Sequence, residues 1–166
     1  MDIKTVGIVI LTLNAGSKIV EILSRIDFNK YKVLIVDSSS DDNTVEICNK
    51  YNCQINIIDR SEFNHGATRD LGRKIIGTDV VIFLTQDAIP ANENTFDFLV
   101  EPIKKGKATV SYAKQISHNG AGFFESFPRE YNYGDNFQIR SLNDVKEYGV
   151  YTFFVQIVAL HTIVKI

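Results

Sequence analysis

The sequence predicts an α/β protein with a mostly parallel sheet flanked by helices. Apolar runs of strand length alternate along the chain with segments of helical apolar spacing, and short polar connections join them. The chain has 166 residues, of which 45% are hydrophobic and 23% charged. This size and composition are typical of a single globular domain with one substantial core.

Five segments are predicted strands. The first, second and fourth are continuous apolar runs, which is typical of strands buried on both faces of a parallel sheet. In chain order the predicted strands are 6–11, 33–36, 55–58, 80–84 and 108–112.

The segments between these strands are predicted helices. Ser17 is the expected N-cap of the first, whose apolar residues continue at helical spacing to Ile26. The second begins near Asp41, after a polar turn, and Pro90 breaks the chain before the fourth. The last three main helices are predicted at about 41–48, 67–76 and 96–103, and a short one begins near 141 after a glycine-rich aromatic segment at 118–133.

Polar residues follow four successive strands. In an open parallel sheet, ligands bind at the carboxyl ends of the strands, where the strand order reverses. A sheet edge does not need such residues for folding, so their convergence predicts a ligand site. The segments concerned are 12–14, 37–40, 62–66 and 85–87.

The first of these connections excludes two common classes of nucleotide-binding protein. Thr12-Leu13-Asn14-Ala15-Gly16 contains a single glycine. A dinucleotide-binding fold would have G-x-G-x-x-G at this point, and a P-loop would have G-x-x-x-x-G-K-[ST]. A nicotinamide-dependent oxidoreductase is therefore disfavoured. A bound diphosphate would instead be neutralised by a divalent cation on a carboxylate.

Two aspartates are candidate ligands, each with a structural alternative. Asp87 follows the fourth strand and is either a metal ligand or a turn residue. Asp37 either caps the following helix or accepts a hydrogen bond from a base or ribose. Ser39, Ser40 and Asp41 are able to cap that helix themselves, which favours the ligand role for Asp37.

A cation follows the third strand. Arg69 lies one turn into a helix that begins after Gly66, and exposed helical N–H groups beside a cation suit a diphosphate. The alternative is a surface ion pair with Asp70 or Glu62. His65 is interpreted as a residue that supports the loop and not as a catalytic base.

Four motifs, taken together, resemble glycosyltransferase family 2, in the branch of rhamnosyltransferases. They are T-L-N-A-G at 12–16, V-D-S-S-S-D-D-N-T at 36–44, E-F-N-H-G-A-T-R at 62–69 and F-L-T-Q-D-A at 83–88. The resemblance extends from about residue 6 to residue 154 and implies the GT-A fold, incomplete at the C-terminus. It also implies a nucleoside-diphosphate sugar, dTDP-rhamnose or similar, and Mg²⁺ or Mn²⁺ as cofactor.

Carried over by position, the resemblance implies roles for individual residues. Thr12 and Asp37 would contact the nucleoside, Arg69 the base or diphosphate, and Asp87 the metal. The full predicted donor site comprises Thr12, Asn14, Asp37, Ser38, Gly66, Arg69, Gln86 and Asp87. The chain departs from the family at Gln86, where an acid is usual, and at Asp70, where asparagine is usual.

The resemblance also implies an inverting displacement whose base is a carboxylate in the C-terminal half of the family's domain, which we expect this chain to lack. We therefore predict a donor-binding domain at 1–154 and an atypical tail at 155–166. Back-translation of the tail with one base restored permits C-S-N-C-C-A-A-Y-N-R-K-D, close to the C-S-N-x-C-A-A-Y-R-R of relatives. This suggests a frameshift, and the alternative is a native final strand.

The remaining expectations concern partners and location. A net charge of −2 gives no reason to expect nucleic-acid binding, and Cys48 and Cys53 are interpreted as reduced thiols. Neither a signal peptide nor a membrane span is apparent, so a cytoplasmic protein, peripheral at the inner membrane face, is predicted. The expected acceptor is a glycan or a lipid-linked glycan. Apolar surface left uncovered would favour a homodimer. A non-catalytic nucleotide-sugar-binding module is the main alternative, and a purely structural domain would not explain the polar strand ends.

Overall fold

The computed structural model describes residues 2–114 and 163–165, with single positions between them at 116–117, 120, 122–123, 127, 141 and 143. The chain divides into two compact units, 1–111 with 161–166, and 112–160. The first unit contains the sheet and every predicted site residue. In the second, the rings of Phe123 and Phe127 stack with their centroids 5.3 Å apart.

Strands and helices alternate in the first unit as the sequence predicts. The strands are β1 (Val6–Thr12), β2 (Lys32–Asp37), β3 (Gln54–Ile57), β4 (Val80–Thr85), β5 (Val110–Ser111) and β6 (Ile163–Lys165). The helices are α1 (Lys18–Leu23), α2 (Thr44–Cys48), α3 (His65–Ile76) and α4 (Thr95–Lys104), with a 3₁₀ turn at Arg60–Glu62.

The strands form one sheet in the order β3-β2-β1-β4-β6-β5. The first four in this order are parallel, whereas β6 is antiparallel to both β4 and β5. Thr12 at the end of β1 pairs in register with Asp37 at the end of β2. Because β2 and β4 lie on opposite sides of β1, the strand order reverses at β1, and the carboxyl ends of all four parallel strands share one edge.

Burial explains why the central strands could be recognised from sequence. All seven residues of β1 are buried, as are the last five of β2 and the first five of β4. Successive side chains of a strand point to opposite faces, so both faces of the sheet are covered. One face packs against α3 through a cluster of aliphatic and aromatic side chains. Its members are Val9, Leu11, Leu34, Val36, Ile76, Val81 and Phe83.

Helix α3 lies close to the sheet. A Cβ on Gly72 would be only 2.6 Å from Val9 Cγ1, so glycine allows the helix to approach β1. The helix ends at Gly77, which adopts the left-handed conformation with φ 55°. Since α3 follows β3 in the chain, its first turn lies toward the edge where the parallel strands end. Arg69 is thereby carried to the predicted ligand edge.

The predicted helix starts have mixed outcomes, because the start of α2 is wrong and the N-cap position of α1 is confirmed without its expected hydrogen bond. Helix α2 begins at Thr44 with Asn43 as N-cap, not near Asp41. Ser39, Ser40 and Asp41 do not cap it, because their side chains bond to the loops after β3 and β1 and to the end of β2. Ser17 occupies the N-cap position of α1 without a side-chain cap hydrogen bond. Its backbone is already helical, whereas a capping serine is normally extended.

The C-terminal predictions have mixed outcomes. The fifth predicted strand, 108–112, is reduced to Val110–Ser111. The antiparallel β6 was foreseen only in the alternative interpretation of the tail as a final strand. The segment 118–133, the helix near Ser141 and the proposed boundary at 154 lie largely or wholly outside the described residues. Among the described helices, none is long and apolar enough to cross a membrane.

Candidate functional site at the carboxyl edge of the sheet

The ends of β1 and β2 are joined by a buried carboxylate. Thr12 Oγ1 donates to Asp37 Oδ2 at 2.7 Å, and the backbone N–H of Ser38 donates to the Thr12 carbonyl at 2.9 Å. Ser40 also donates to Asp37, from its backbone N–H at 2.8 Å and from its hydroxyl at 2.6 Å. Asp37 is 0% exposed. It caps no helix, and because it is fully buried, direct contact with a nucleoside would require the groups around it to move.

Asn14 joins the same two loops above this carboxylate. Its backbone N–H donates to Ser40 Oγ at 2.8 Å, and its Oδ1 accepts from the backbone N–H of Asp41 at 2.8 Å. Asn14 has φ 51°, a left-handed conformation that asparagine adopts more readily than most residues. The predicted site residue thus has a structural function, because it sets the relative position of two loops at the strand ends.

Gln86 joins the loops after β1 and β4. Its Oε1 accepts a hydrogen bond of 2.7 Å from the backbone N–H of Leu13. Leu11 and Thr85 are in register across these two strands, at the point where the strand order reverses. Within the described part of the chain, the side-chain amide of Gln86 donates to no residue, which leaves two N–H donors for a ligand. A residue that takes the place of the usual acid therefore connects the two halves of the site.

Asp87 is exposed at the end of β4. Thr85 Oγ1 donates to its Oδ1, and the backbone turns sharply, with Ala88 N–H donating to the Thr85 carbonyl at 3.0 Å. The described residues include no group of three or more His, Cys, Asp or Glu able to hold a metal ion. One exposed carboxylate nevertheless fits a Mg²⁺ or Mn²⁺ ion that takes its other ligands from diphosphate oxygens and water.

The first turn of α3 is capped by the protein itself. Asn64 Oδ1 accepts from the backbone N–H groups of Gly66 at 3.0 Å and Ala67 at 3.1 Å. The expectation of exposed helical N–H groups is therefore wrong for these two, because an asparagine at the N-cap occupies them. A ligand here would meet the helix dipole and the side chain of Arg69 but not the amide of Gly66.

Arg69 is half-buried, and its guanidinium donates to the carbonyl of His65 at 3.2 Å. Burial lowers the pKa of Arg69 below its usual value, yet an arginine remains cationic at neutral pH. The alternative of an ion pair with Asp70 or Glu62 is not observed. Asp70 instead pairs with Arg73 at 2.9 Å and with the lysine four residues after it in α3. Among the described residues, Arg69 has no ion-pair partner. Its charge is available to an anion.

Among the described residues, the side chain of His65 has one ring contact. Its ring packs edge-to-face on Phe63, with the centroids 4.8 Å apart. This contact agrees with the interpretation of His65 as a residue that supports the loop.

The contacts thus bring together five of the eight predicted site residues, Thr12, Asn14, Asp37, Ser38 and Gln86. Gly66, Arg69 and Asp87 share the same edge by their positions in the fold. Among the described residues, no hydrogen bond or ion pair joins these three to the other five.

Arg60 was missed at the sequence level. It follows β3 by three residues and bonds to the backbone of the loop after β2. The residues selected there, 62–66, begin at the last residue of the 3₁₀ turn, so they do not directly follow the strand. Nothing in the local sequence marks Arg60, since an arginine in a polar turn is common. Its position three residues after the end of β3 was the only indication in the sequence that it lies near the site.

This fold and this edge define a GT-A-type domain: a parallel sheet with interlocked loops at its carboxyl end, an acid and a cation there, and no glycine-rich phosphate loop. The chain belongs to glycosyl transferase family 2, whose model matches residues 7–160. The prediction of the family and of the fold class is confirmed.

Two similar proteins are O-antigen chain rhamnosyltransferases of Salmonella. WbaN of Salmonella anatum is 36% identical over 124 residues, which are 74% of this chain and 39% of that protein. RfbN of Salmonella typhimurium is 32% identical over 154 residues, 90% of this chain and 49% of that protein. The chain thus spans less than half the length of either relative.

Solved structures of other proteins share the fold. TarS of S. aureus, in complex with UDP-GlcNAc, has a TM-score of 0.59 and 24% identity over 72% of this chain and 36% of that one. A mannosyltransferase of Pyrobaculum calidifontis, in complex with GDP-Man and Mn²⁺, has a TM-score of 0.56 and 19% identity, covering 66% of this chain and 35% of that one. At these identities the likeness concerns the fold alone.

Proposed function

We propose that this chain binds a nucleoside-diphosphate sugar at the carboxyl edge of its sheet and supplies the donor half of a glycosyltransferase. The observation that carries this proposal is the set of hydrogen-bonded loops where the strand order reverses. Arg69, which has no ion-pair partner in the described part of the chain, and the exposed carboxylate of Asp87 lie at the same edge. Such a reversal point is where α/β sheets bind nucleotides.

The proposed donor is dTDP-rhamnose or a close analogue. Two relatives above 30% identity are rhamnosyltransferases, which supports the sugar, while the choice of nucleotide rests on the resemblance of the motifs. The proposed acceptor is a growing glycan or a lipid-linked glycan, reached from the inner membrane face.

The loops of β1 and β2 form the proposed nucleoside subsite. The polar groups of these two loops are held in place by hydrogen bonds within and between the loops. The residues concerned are Thr12, Asn14, Asp37 and Ser38. A preorganised subsite loses little conformational entropy when a ligand binds. Asp37 acts on the nucleoside either through Thr12 and Ser40 or after release of one of these bonds.

The diphosphate is proposed to lie between α3 and the end of β4. Arg69 supplies positive charge, the first turn of α3 at Gly66 supplies the helix dipole, and the Gln86 amide supplies free N–H donors. Asp87 would hold a Mg²⁺ or Mn²⁺ ion. When bound, that ion neutralises negative charge on the diphosphate leaving group.

The proposed reaction is a single displacement with inversion at the anomeric carbon. The acceptor oxygen forms a bond to that carbon as the bond to the diphosphate oxygen breaks, and a carboxylate takes the proton of the acceptor hydroxyl. We assign no residue of this chain as that base. Here Arg69 stabilises charge that develops on the leaving group, which lowers the barrier to C–O cleavage.

A non-catalytic nucleotide-sugar-binding module is the second candidate. Every role proposed above for a residue of the described site concerns binding of the donor, and none concerns transfer of the acceptor proton, which favours this module. Release of dTDP from dTDP-rhamnose in the presence of Mn²⁺ would exclude the module and support the enzyme.

The direct test is calorimetric titration with dTDP, UDP and GDP, each with and without Mn²⁺. We expect binding of at least one nucleotide, dTDP most tightly, and tighter binding with Mn²⁺ than without. NAD⁺ is the negative control, since the chain lacks the dinucleotide fingerprint. If no nucleoside diphosphate binds to the folded protein, the proposed function is wrong.

Self-association is also proposed. Ile57 on the edge strand β3 is 59% exposed and Phe98 on α4 is 66% exposed, which supports burial of apolar surface in a homodimer. Light scattering that gives a monomer mass at micromolar concentration would contradict it.

A further inference from the structure

The loop at 38–41 has an unusual backbone. Ser39 has φ 57°, a left-handed conformation that a serine adopts only when its surroundings hold it there. Its hydroxyl donates to the carbonyl of Ile58 at 2.7 Å, just after β3. The next residue, Ser40, bonds to both Asp37 and Asn14. The conformation of Ser39 therefore determines the position of the proposed nucleoside subsite.

Arg60 binds this loop from the β3 side. Its Nε donates to the Ser39 carbonyl at 3.1 Å and, more weakly, to the Ser38 carbonyl at 3.3 Å. Its Nη2 donates to the same Ser39 carbonyl at 2.8 Å and also pairs with the carboxylate of Asp41. One planar guanidinium thus holds two backbone carbonyls and a side chain of a single loop, an arrangement that a lysine ammonium does not reproduce.

The position of Arg60 is itself fixed. Asp59 caps the 3₁₀ turn that contains Arg60, with its Oδ1 accepting from the backbone N–H of Ser61 at 2.8 Å. The backbone N–H of Ile58 donates to the carbonyl of Asp37 at 2.8 Å, which joins the end of β3 to the end of β2. The guanidinium therefore extends from an anchored turn to a loop that has no regular secondary structure.

We propose that Arg60 is a positioning residue for the nucleoside half of the donor site. It holds the loop at 38–41 in the form that places Ser40 against Asp37 and Asn14, without touching the diphosphate. The inference rests on the proposed function. It predicts a selective effect: loss of Arg60 weakens binding of the nucleoside and leaves binding of the diphosphate moiety unchanged.

The test compares two ligands on one variant. Arg60→Ala is expected to weaken dTDP binding roughly tenfold in calorimetric titration with Mn²⁺, the loss expected when a charge-assisted hydrogen bond is removed. Binding of inorganic pyrophosphate with Mn²⁺ is expected to stay within about twofold of the unmodified chain. Arg60→Lys keeps the positive charge but lacks the planar guanidinium with its several N–H donors, so it should recover only part of the dTDP affinity.

Hydrogen exchange provides a readout that needs no ligand. The backbone N–H groups of Ser40 and Asp41, which donate to Asp37 and Asn14, should exchange faster in Arg60→Ala. Amides within β1 should not change. Arg73→Ala is the matched control, because Arg73 pairs on the surface of α3 with Asp70 and is expected to alter neither exchange nor binding.

The outcomes separate this inference from the proposed function. If the unmodified chain binds neither pyrophosphate nor any of the three nucleoside diphosphates, both proposals fail. If it binds pyrophosphate and dTDP equally, the nucleoside adds no affinity and only the inference fails. If it prefers dTDP and Arg60→Ala retains that preference, only the inference fails. An equal loss of both ligands in Arg60→Ala would indicate a global effect and would also overturn it.

Discussion

Thr12 and Asp37 are bonded side chain to side chain at 2.7 Å, and they are paired in register at the ends of two adjacent parallel strands. Ser40 supplies two further hydrogen bonds to the same carboxylate. A fully buried charge is tolerated only when its lone pairs are occupied by donors. Asp37 is therefore as much a structural centre of the site as a candidate ligand.

Removal of this carboxylate should destabilise the protein. Asp37→Ala leaves a buried hydroxyl and the Ser40 donors without their acceptor, so we expect the free energy of unfolding to fall by about 3 kcal/mol. Thr12→Val removes a single donor at nearly constant volume and should cost about 1 kcal/mol. Urea denaturation followed by circular dichroism measures both. Equal losses in the two variants would contradict the central role of Asp37.

Asn14 permits a second stability test with a matched pair. Asn14→Ala loses the acceptor for the Asp41 N–H and keeps a Cβ at φ 51°, so we expect a loss of about 2 kcal/mol. Asn14→Gly loses the same hydrogen bond but adopts positive φ freely, so its loss should be smaller by about 1 kcal/mol. If the alanine variant is the more stable of the two in urea denaturation, the left-handed backbone is not the cause.

Sequence patterns predicted the parts of this fold that depend on burial. The strands at Val6–Thr12 and Val80–Thr85 are recognisable because both faces of each are covered, which makes every position before the final threonine non-polar. Polar residues at the strand ends indicated the correct edge of the sheet. The apolar runs and the polar strand ends both depend on residues that are neighbours in sequence, so they can be recognised without the structure.

What the sequence could not predict are contacts between distant segments. Gln86 bonds to the N–H of Leu13, 73 positions away, and nothing near either residue indicates the other. Likewise, the start of α2 was placed too early because Ser39, Ser40 and Asp41 have the composition of a helix cap. Tertiary hydrogen bonds compete for these side chains, and the competition is visible only once the loops are adjacent.

Gln86 and Asp87 together test the metal proposal. Asp87→Asn removes the one exposed carboxylate at the end of β4, so the nucleotide affinity should no longer increase on addition of Mn²⁺. Gln86→Glu retains an acceptor for the Leu13 N–H and adds a second negative charge, so Mn²⁺ should bind severalfold more tightly in the presence of dTDP. Calorimetric titration with dTDP measures the first effect, and electron paramagnetic resonance of free Mn²⁺ measures the second.

The control for the metal experiment is Asp70→Asn. Asp70 is an exposed acid whose charge is paired with Arg73 and Lys74 on α3. Its loss should leave Mn²⁺ binding unchanged, because no metal role is assigned to it. If Asp87→Asn behaves like this control, Asp87 is a turn residue and the metal proposal fails.

Cys48 should make stability depend on alkaline pH. Burial, followed in importance by the negative charge of Asp37, raises the pKa of the Cys48 thiol from 9.0 to about 11. Between these two pH values the folded chain keeps the thiol proton while the unfolded chain releases it. The contribution of Cys48 to stability is therefore fully present below pH 9 and is lost as the pH rises through about 11.

The measurement is the difference in unfolding free energy between the chain that retains Cys48 and Cys48→Ala from pH 7.5 to 10.5. Because alanine cannot ionise, we expect the advantage of the cysteine to shrink by about 2 kcal/mol across this range. Groups that do not interact with Cys48 titrate in both proteins and cancel in the difference, and Cys53, whose pKa is raised in part by Cys48, is replaced by alanine in both. A difference that stays constant up to pH 10.5 would mean that neither burial nor the charge of Asp37 disfavours the Cys48 thiolate. The assignment of a buried negative charge to Asp37 would then be wrong.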